Sequence, residues 1–148
     1  KGYISWQEGK ARTLQIVDEI FSGIPVMGSI AAGGLIEPFA DVSERIELTD
    51  IFNKKDVFAL NVAGDSMVDA FIADGDMVLM EPIRDSYSLK NGTIVSAMVP
   101  GLGTTLKYFF KRNGKIFLEA ANSAYEPIEL NLDEVVFQGK LLAVWRKL

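Results

Sequence analysis

TIVSAMVPGLGTTLKYFFKRNGKIFLEA, residues 93–120, is the stretch on which the fold turns. TIVSAMV, TTLKYFFK and KIFLEA are strand-length runs rich in β-branched and aromatic residues, and the short breaks between them leave no room for helices. GLGTT at 101–105 reads as a hairpin tip, and Asn113-Gly114 has the chemistry of a tight turn. Strands joined by such short turns run antiparallel.

Working outward, the same pattern recurs. VFALNVA (57–63) and MVLMEP (77–82) precede the stretch, with a further strand at 45–48; a strand near 127–130 and VVFQGKLLAVWRK (135–147) follow it. The last run is long and apolar, which suits an edge strand or a surface that pairs with another copy. Asn91-Gly92 marks another tight turn. Near the start of the chain, YISW and RTLQIV, split by QEGKA, form an amphipathic hairpin. The uncharged run from Ile20 to Ile36 is broken by Gly23, Pro25, Gly28, Gly33 and Gly34, so it is no membrane span and reads as an extended loop or edge segment. Helix is predicted only as a short turn near Thr49 to Phe52 and a brief helix over 66–72. The expected class is mostly β, antiparallel, with one short helix after Ser66.

Composition bounds the chemistry. The 148 residues are 49% hydrophobic and 24% charged, enough for one well-buried core. With His 0 and Cys 0, the Ser-His-Asp triad, the Cys-His pair and every His- or Cys-based metal site are excluded. GLGTT lacks the third glycine and following helix of a phosphate loop, and DGD at 74–76 lacks the alternating ligands of a calcium loop and reads as a turn, so no metal and no cofactor is expected. Residues 1–17 hold Lys1, Lys10 and Arg12 against Glu8, a net +2, which leaves −7 of the total −5 on the other 131 residues. So acidic a body is unsuited to non-specific nucleic-acid binding. The chain starts with lysine and carries no signal peptide, transit peptide or lipidation motif, so a fragment or processed form of a soluble protein is expected.

What remains is GDSMVDAFIADGDMV, residues 64–78, where Ser66 directly follows a strand and precedes an apolar run at helical spacing. Two readings stand. Ser-Met-Val-Asp nearly matches a capping box, in which the Ser66 hydroxyl accepts from helix N–H groups. Alternatively, a strand that ends in a Gly-x-Ser turn and opens a helix exposes the hydroxyl as a nucleophile beside backbone N–H groups able to stabilise an oxyanion. A serine nucleophile needs a base, and without histidine the candidates are a lysine or a carboxylate such as Asp65 or Asp69. Lys107 stands out because strand alternation puts it with Thr105 and Phe109 on one face, Lys111 lying nearer the turn. If that face is buried, desolvation lowers the ammonium pKa and leaves an amine able to take the serine proton; if it is exposed, Lys107 is an ordinary strand lysine.

Four stretches carry a resemblance to a known family, the LexA repressors with their self-cleaving carboxy-terminal domain, related to UmuD and more distantly to type I signal peptidases. GDSM with the DGDMV turn and strand is similar to the family's serine motif, TTLK to its lysine motif, and SIAAGG (29–34) to its Ala-Gly cleavage site. KGYISWQEGKARTLQIV (1–17) looks like the end of the repressor's winged helix-turn-helix, covering the wing hairpin without the helices that read DNA. The resemblance implies Ser66 as nucleophile, Lys107 as general base, Thr105 holding the amine, the backbone N–H groups of Asp65 and Ser66 as oxyanion donors, and a scissile bond between Ala32 and Gly33. It implies a wing remnant at 1–17, a linker and cleavage segment at 18–36, and a Ser-Lys autoprotease and dimerisation domain at 37–148. By the same resemblance the chain is expected to be a cytoplasmic, homodimeric repressor fragment of the SOS DNA-damage response, with no membrane partner. Its self-cleavage would be stimulated by a RecA filament on single-stranded DNA as co-protease, and operator DNA would be bound only through the missing N-terminal helices. A UmuD-like translesion polymerase accessory protein, or a cleavage-poor LexA-like regulator acting by dimerisation, are the alternatives; the wing-like hairpin at 3–17 favours the repressor.

Overall fold

The computed structural model describes residues 3–5, 15–17, 24–25, 45–47, 53–54 and 56–148. The chain divides into two units, Lys1–Asn53 and Lys54–Leu148. In the first, β1 (Tyr3–Ser5) pairs antiparallel with β2 (Gln15–Val17), Tyr3 opposite Val17, which is the hairpin expected at the start of the chain. β3 (Ile24–Pro25) pairs antiparallel with β4 (Arg45–Ile46), so the Gly/Pro-broken run supplies a short strand and the strand expected at 45–48 is two residues long. The helical turn expected near Thr49 to Phe52 lies outside the described residues, as do Ala32 and Gly33.

The second unit is built on a seven-stranded antiparallel sheet. Its strands are β5 (Phe58–Asn61), β6 (Met77–Pro82), β7 (Thr93–Val99), β8 (Gly103–Arg112), β9 (Lys115–Glu119), β10 (Ile128–Leu130) and β11 (Val136–Trp145). They are ordered β10-β9-β8-β7-β11-β6-β5. The hairpins β7–β8 and β8–β9 come directly from the 93–120 stretch. Asn113 and Gly114 both take positive φ, 50° and 79°, the left-handed pair that a two-residue hairpin turn needs and that asparagine and glycine adopt most readily. Alternation then sorts the side chains. Val95, Ala97 and Val99 on β7, Phe109 on β8, and Ile116 and Leu118 on β9 form one buried cluster with Val135. A second cluster, Met67, Ile72, Val78 and Met80, ties residues 67–72 to β6, with Phe58, Leu60 and Leu106 packed against it.

Two expectations are corrected. β11 is no edge: it lies between β7 and β6 and pairs with both, and the sheet ends at β10 and β5. Its register shifts between Phe137 and Gly139 on one side and between Leu141 and Ala143 on the other. Such bulges bend a strand, and Gly139 sits at the tightest point, where a Cβ would lie 2.8 Å from Phe58 Cζ and 2.9 Å from Met80 Cβ. The helix expected over 66–72 is a single 3-10 turn, Val68–Ala70, closed by Phe71 in the left-handed region at φ 61°. A segment so short returns too few hydrogen bonds to offset helix nucleation. Among the described residues no helix is long and apolar enough to cross a membrane.

Candidate active site

Ser66 leaves the sheet just beyond β5. The loop that carries it is closed at its base by backbone bonds from Val62 N–H to Asp76 O (2.7 Å) and from Gly75 N–H to Val62 O (2.9 Å). Met67 and Ile72, 2% and 1% exposed, plug the loop into the second cluster at both ends. Burying side chains of this size contributes about 1.5–3 kcal/mol each, so a loop without regular structure still holds a defined shape.

The capping reading of Ser66 does not hold. The N-cap position of the 3-10 turn belongs to Met67, and no side chain caps it. The Ser66 hydroxyl instead meets Lys107, with Nζ 2.7 Å from Oγ across 41 residues of sequence. The amine has two other partners, Thr105 Oγ1 at 2.9 Å and the Leu106 carbonyl at 3.0 Å. As an ammonium, Lys107 donates to all three. As a neutral amine it donates to Thr105 and Leu106 and turns its lone pair towards the serine, whose O–H then donates to nitrogen. The site therefore accommodates both protonation states with the same three partners.

Burial shifts the balance towards the neutral one. Lys107 is 6% exposed, on the buried face of β8 as alternation with Phe109 required, whereas Lys111 is exposed. Burial pushes its pKa below the ordinary 10.5. Among the described residues no carboxylate forms a salt bridge with Lys107 to reverse this. Three acids of the serine loop are otherwise engaged. Asp65 accepts from the Tyr125 hydroxyl, Asp74 from the Gly64 N–H at 2.7 Å, and Asp76 from Arg146 and from the Ala73 N–H at 2.8 Å. Asp69 is exposed, and its N–H donates to the Ala121 carbonyl at 2.8 Å.

A cleft of about 320 Å³ opens beside the pair, lined by Leu60, Val62, Ser66, Met67, Thr104 and Leu106 among others. A larger one of about 760 Å³, around Glu81, Arg84, Lys90 and Lys140, contains neither Ser66 nor Lys107 and has no evident chemistry. Among the described residues no group of acidic side chains is placed to hold a metal ion.

Several contacts at this site were not legible in the sequence. DGD does form a turn, but Asp76 turns inward, 2% exposed, and receives both Nε and Nη2 of Arg146 at 2.6 Å. That bidentate pair holds the Asp76 carboxyl down at about 2, helped by the Ala73 N–H. Asn122 Nδ2 donates to the Asp65 carbonyl at 3.1 Å. ANSAY at 121–125 signals a loop by composition, and nothing local names its partner.

Residues 25–142 match the model of the family described as Peptidase S24-like. Over nearly its whole length the chain is also similar to longer curated proteins. It is 35% identical to the "Transcription regulator LexA" of Synechocystis sp., over 99% of this chain and 72% of that protein. It is 37% and 38% identical to the "LexA repressor" of Thermotoga neapolitana and of Thermotoga maritima, over 100% of this chain and 74% of each. The chain belongs to the Peptidase S24-like family, and within it to the LexA family.

Proposed function

We propose that this chain is a LexA-like repressor that cuts its own backbone between Ala32 and Gly33, with Ser66 as nucleophile and Lys107 as general base. The observation that carries the reading is the 2.7 Å separation of Lys107 Nζ and Ser66 Oγ, in a chain that contains no histidine or cysteine to do the work instead. Neutral Lys107 takes the Ser66 proton as Oγ attacks the Ala32 carbonyl carbon, and the carbonyl electron pair moves onto oxygen. The backbone N–H groups of Asp65 and Ser66 stabilise that oxyanion. As the intermediate collapses, the Ala32–Gly33 bond breaks and the new ammonium returns its proton to the Gly33 nitrogen. Water, deprotonated by the same amine, then hydrolyses the ester and restores Ser66. Thr105 holds the amine on its line to the serine throughout.

Small residues at the bond suit this chemistry, since Ala31, Ala32, Gly33 and Gly34 let an extended segment approach a hydroxyl without side-chain clash. In a cytoplasmic repressor the cut separates residues 1–32, and whatever DNA-binding helices precede them, from a homodimeric body, so linked half-site contacts become independent and repression weakens. A RecA filament on single-stranded DNA would act by favouring the form in which the cleavage segment is docked.

Intact-mass spectrometry after incubation at alkaline pH tests the reading. Fragments of 32 and 116 residues are expected. They should appear at a first-order rate independent of protein concentration, and Ser66→Ala should yield none. Persistence of those fragments in Ser66→Ala would refute the mechanism.

A further inference from the structure

The nucleophile's backbone is held from outside its own loop, by the segment between β9 and β10. Asn122 Nδ2 donates to the Asp65 carbonyl at 3.1 Å, and the Tyr125 hydroxyl donates to the Asp65 carboxylate, which raises the tyrosine pKa above its ordinary 10.0. One residue back, the Ala121 carbonyl accepts from Asp69 N–H at 2.8 Å. Three contacts from 121–125 thus reach residues 65–69, across 57 residues of sequence in the case of Asn122.

The contact at the Asp65 carbonyl matters most, because that carbonyl and the Ser66 N–H belong to one peptide unit. Among the described residues every peptide bond is trans, and in a planar trans peptide the C=O and N–H point in opposite directions. Whatever fixes the Asp65 oxygen therefore fixes the direction of the Ser66 N–H. The loop's own contribution is one bond from the Val68 N–H, at 3.2 Å, spanning a turn of three residues. That bond is local and survives modest rotation of the peptide plane. Asn122 is anchored separately, its Oδ1 accepting from the Ala124 N–H at 2.9 Å, so it offers the carbonyl a donor whose position does not depend on the serine loop.

We infer that Asn122 is a positioning residue for self-cleavage, locking the Asp65–Ser66 peptide so that the Ser66 N–H remains aimed as an oxyanion donor. The inference rests on the self-cleavage reading above and adds to it a residue that touches neither the Ser66 hydroxyl nor the Lys107 amine. Its effect falls on stabilisation of the intermediate and leaves the titration of the base alone. That separation distinguishes it from a merely structural role.

The test substitutes Asn122→Asp in the full chain. The change is nearly isosteric and keeps an oxygen for the Ala124 N–H, but it adds a carboxylate charge as it removes the donor to the Asp65 carbonyl, so the midpoint and melting criteria are read on the uncharged Asn122→Ala. Self-cleavage rates are measured from pH 6 to 11 for both variants beside the parent, with thermal melting of all three. The expected result is a plateau rate lower by roughly 10- to 100-fold, less than the ~10²–10³-fold cost of removing an oxyanion donor outright because the N–H is misaimed and not lost, with the midpoint of the alkaline rise and the melting temperature unchanged in Asn122→Ala. Asn122→Ala should lower the plateau similarly. An unchanged plateau in Asn122→Asp would overturn the inference. So would a lowered plateau accompanied by a shifted midpoint or lost thermal stability in Asn122→Ala, since that marks general loosening of the Lys107 site. A parent chain that itself fails to cleave would instead bring down the reading beneath it.

Discussion

Replacing Lys107 tests the role of its amine directly. With its ordinary pKa of 10.5 a lysine is neutral in about one molecule per thousand at pH 7.5. Burial at 6% exposure lowers that pKa, and every unit of lowering multiplies the ready fraction about tenfold until the amine is mostly neutral. The rate of self-cleavage in the parent should therefore climb about tenfold per pH unit and level off at a midpoint below 10.5. Lys107→Ala removes the titrating group and the hydrogen bond to Ser66. The plateau should fall by about 10²–10⁴-fold, the usual contribution of a general base, leaving at most a slow hydroxide-dependent reaction. Lys107→Arg should be close to inactive at any mild pH, because guanidinium keeps its proton. First-order rates by intact-mass spectrometry between pH 5 and 11 decide the matter. A carboxylate base would give a rise near pH 4–5 and a flat profile above it. An alkaline limb that survives unchanged in Lys107→Ala would refute the assignment, however well placed the amine is.

Three further outcomes are expected. Gly139→Ala forces a Cβ to within 2.9 Å of Met80 Cβ, a backbone-proximal atom that cannot swing away, and should cost about 1–3 kcal/mol in denaturant unfolding; a neutral result would mean that β11 relaxes freely at its bulge. The Asp76 carboxyl, lowered from 3.8 to about 2 by Arg146, contributes stability that is fully present above 3.8 and lost as pH falls towards 2. Arg146→Ala should therefore lower the melting temperature at neutral pH and flatten its decline across that acid window, whereas an unaltered acid profile would show that the pair does not carry the effect. Gly33→Asp should block the cut while leaving the melting curve of the body intact, and normal cleavage in that variant would mean that the scissile bond lies elsewhere.

The strands were legible because their signals are local. β6 and β7 begin and end where MVLMEP and TIVSAMV do, since strand propensity is a property of neighbouring residues and the turns before them carry their own glycines, Gly75 and Gly92. The motifs GDSM and TTLK likewise stood in the sequence, and with them the candidates Ser66, Lys107 and Thr105. Whether Ser66 capped a turn or faced a lysine was not decidable there, because the same hydroxyl after the same strand serves either role. Only the pairing of β7 with β8, which sets Val95 opposite Lys107, and the anchoring of Met67 and Ile72 against β6 bring Nζ to 2.7 Å from Oγ. The place of β11 between β7 and β6 was hidden for a related reason: a long apolar strand reads the same at an edge or in the middle, and its neighbours are chosen by chain connectivity and packing. Asp76 with Arg146, 70 residues apart, and Asn122 with the Asp65 carbonyl, 57 apart, are contacts of the same kind. Local pattern sets what each segment can become, because backbone and side-chain sterics act over a few residues; which segments meet is decided by burial of the whole chain at once, and the chemistry of this site depends on that meeting.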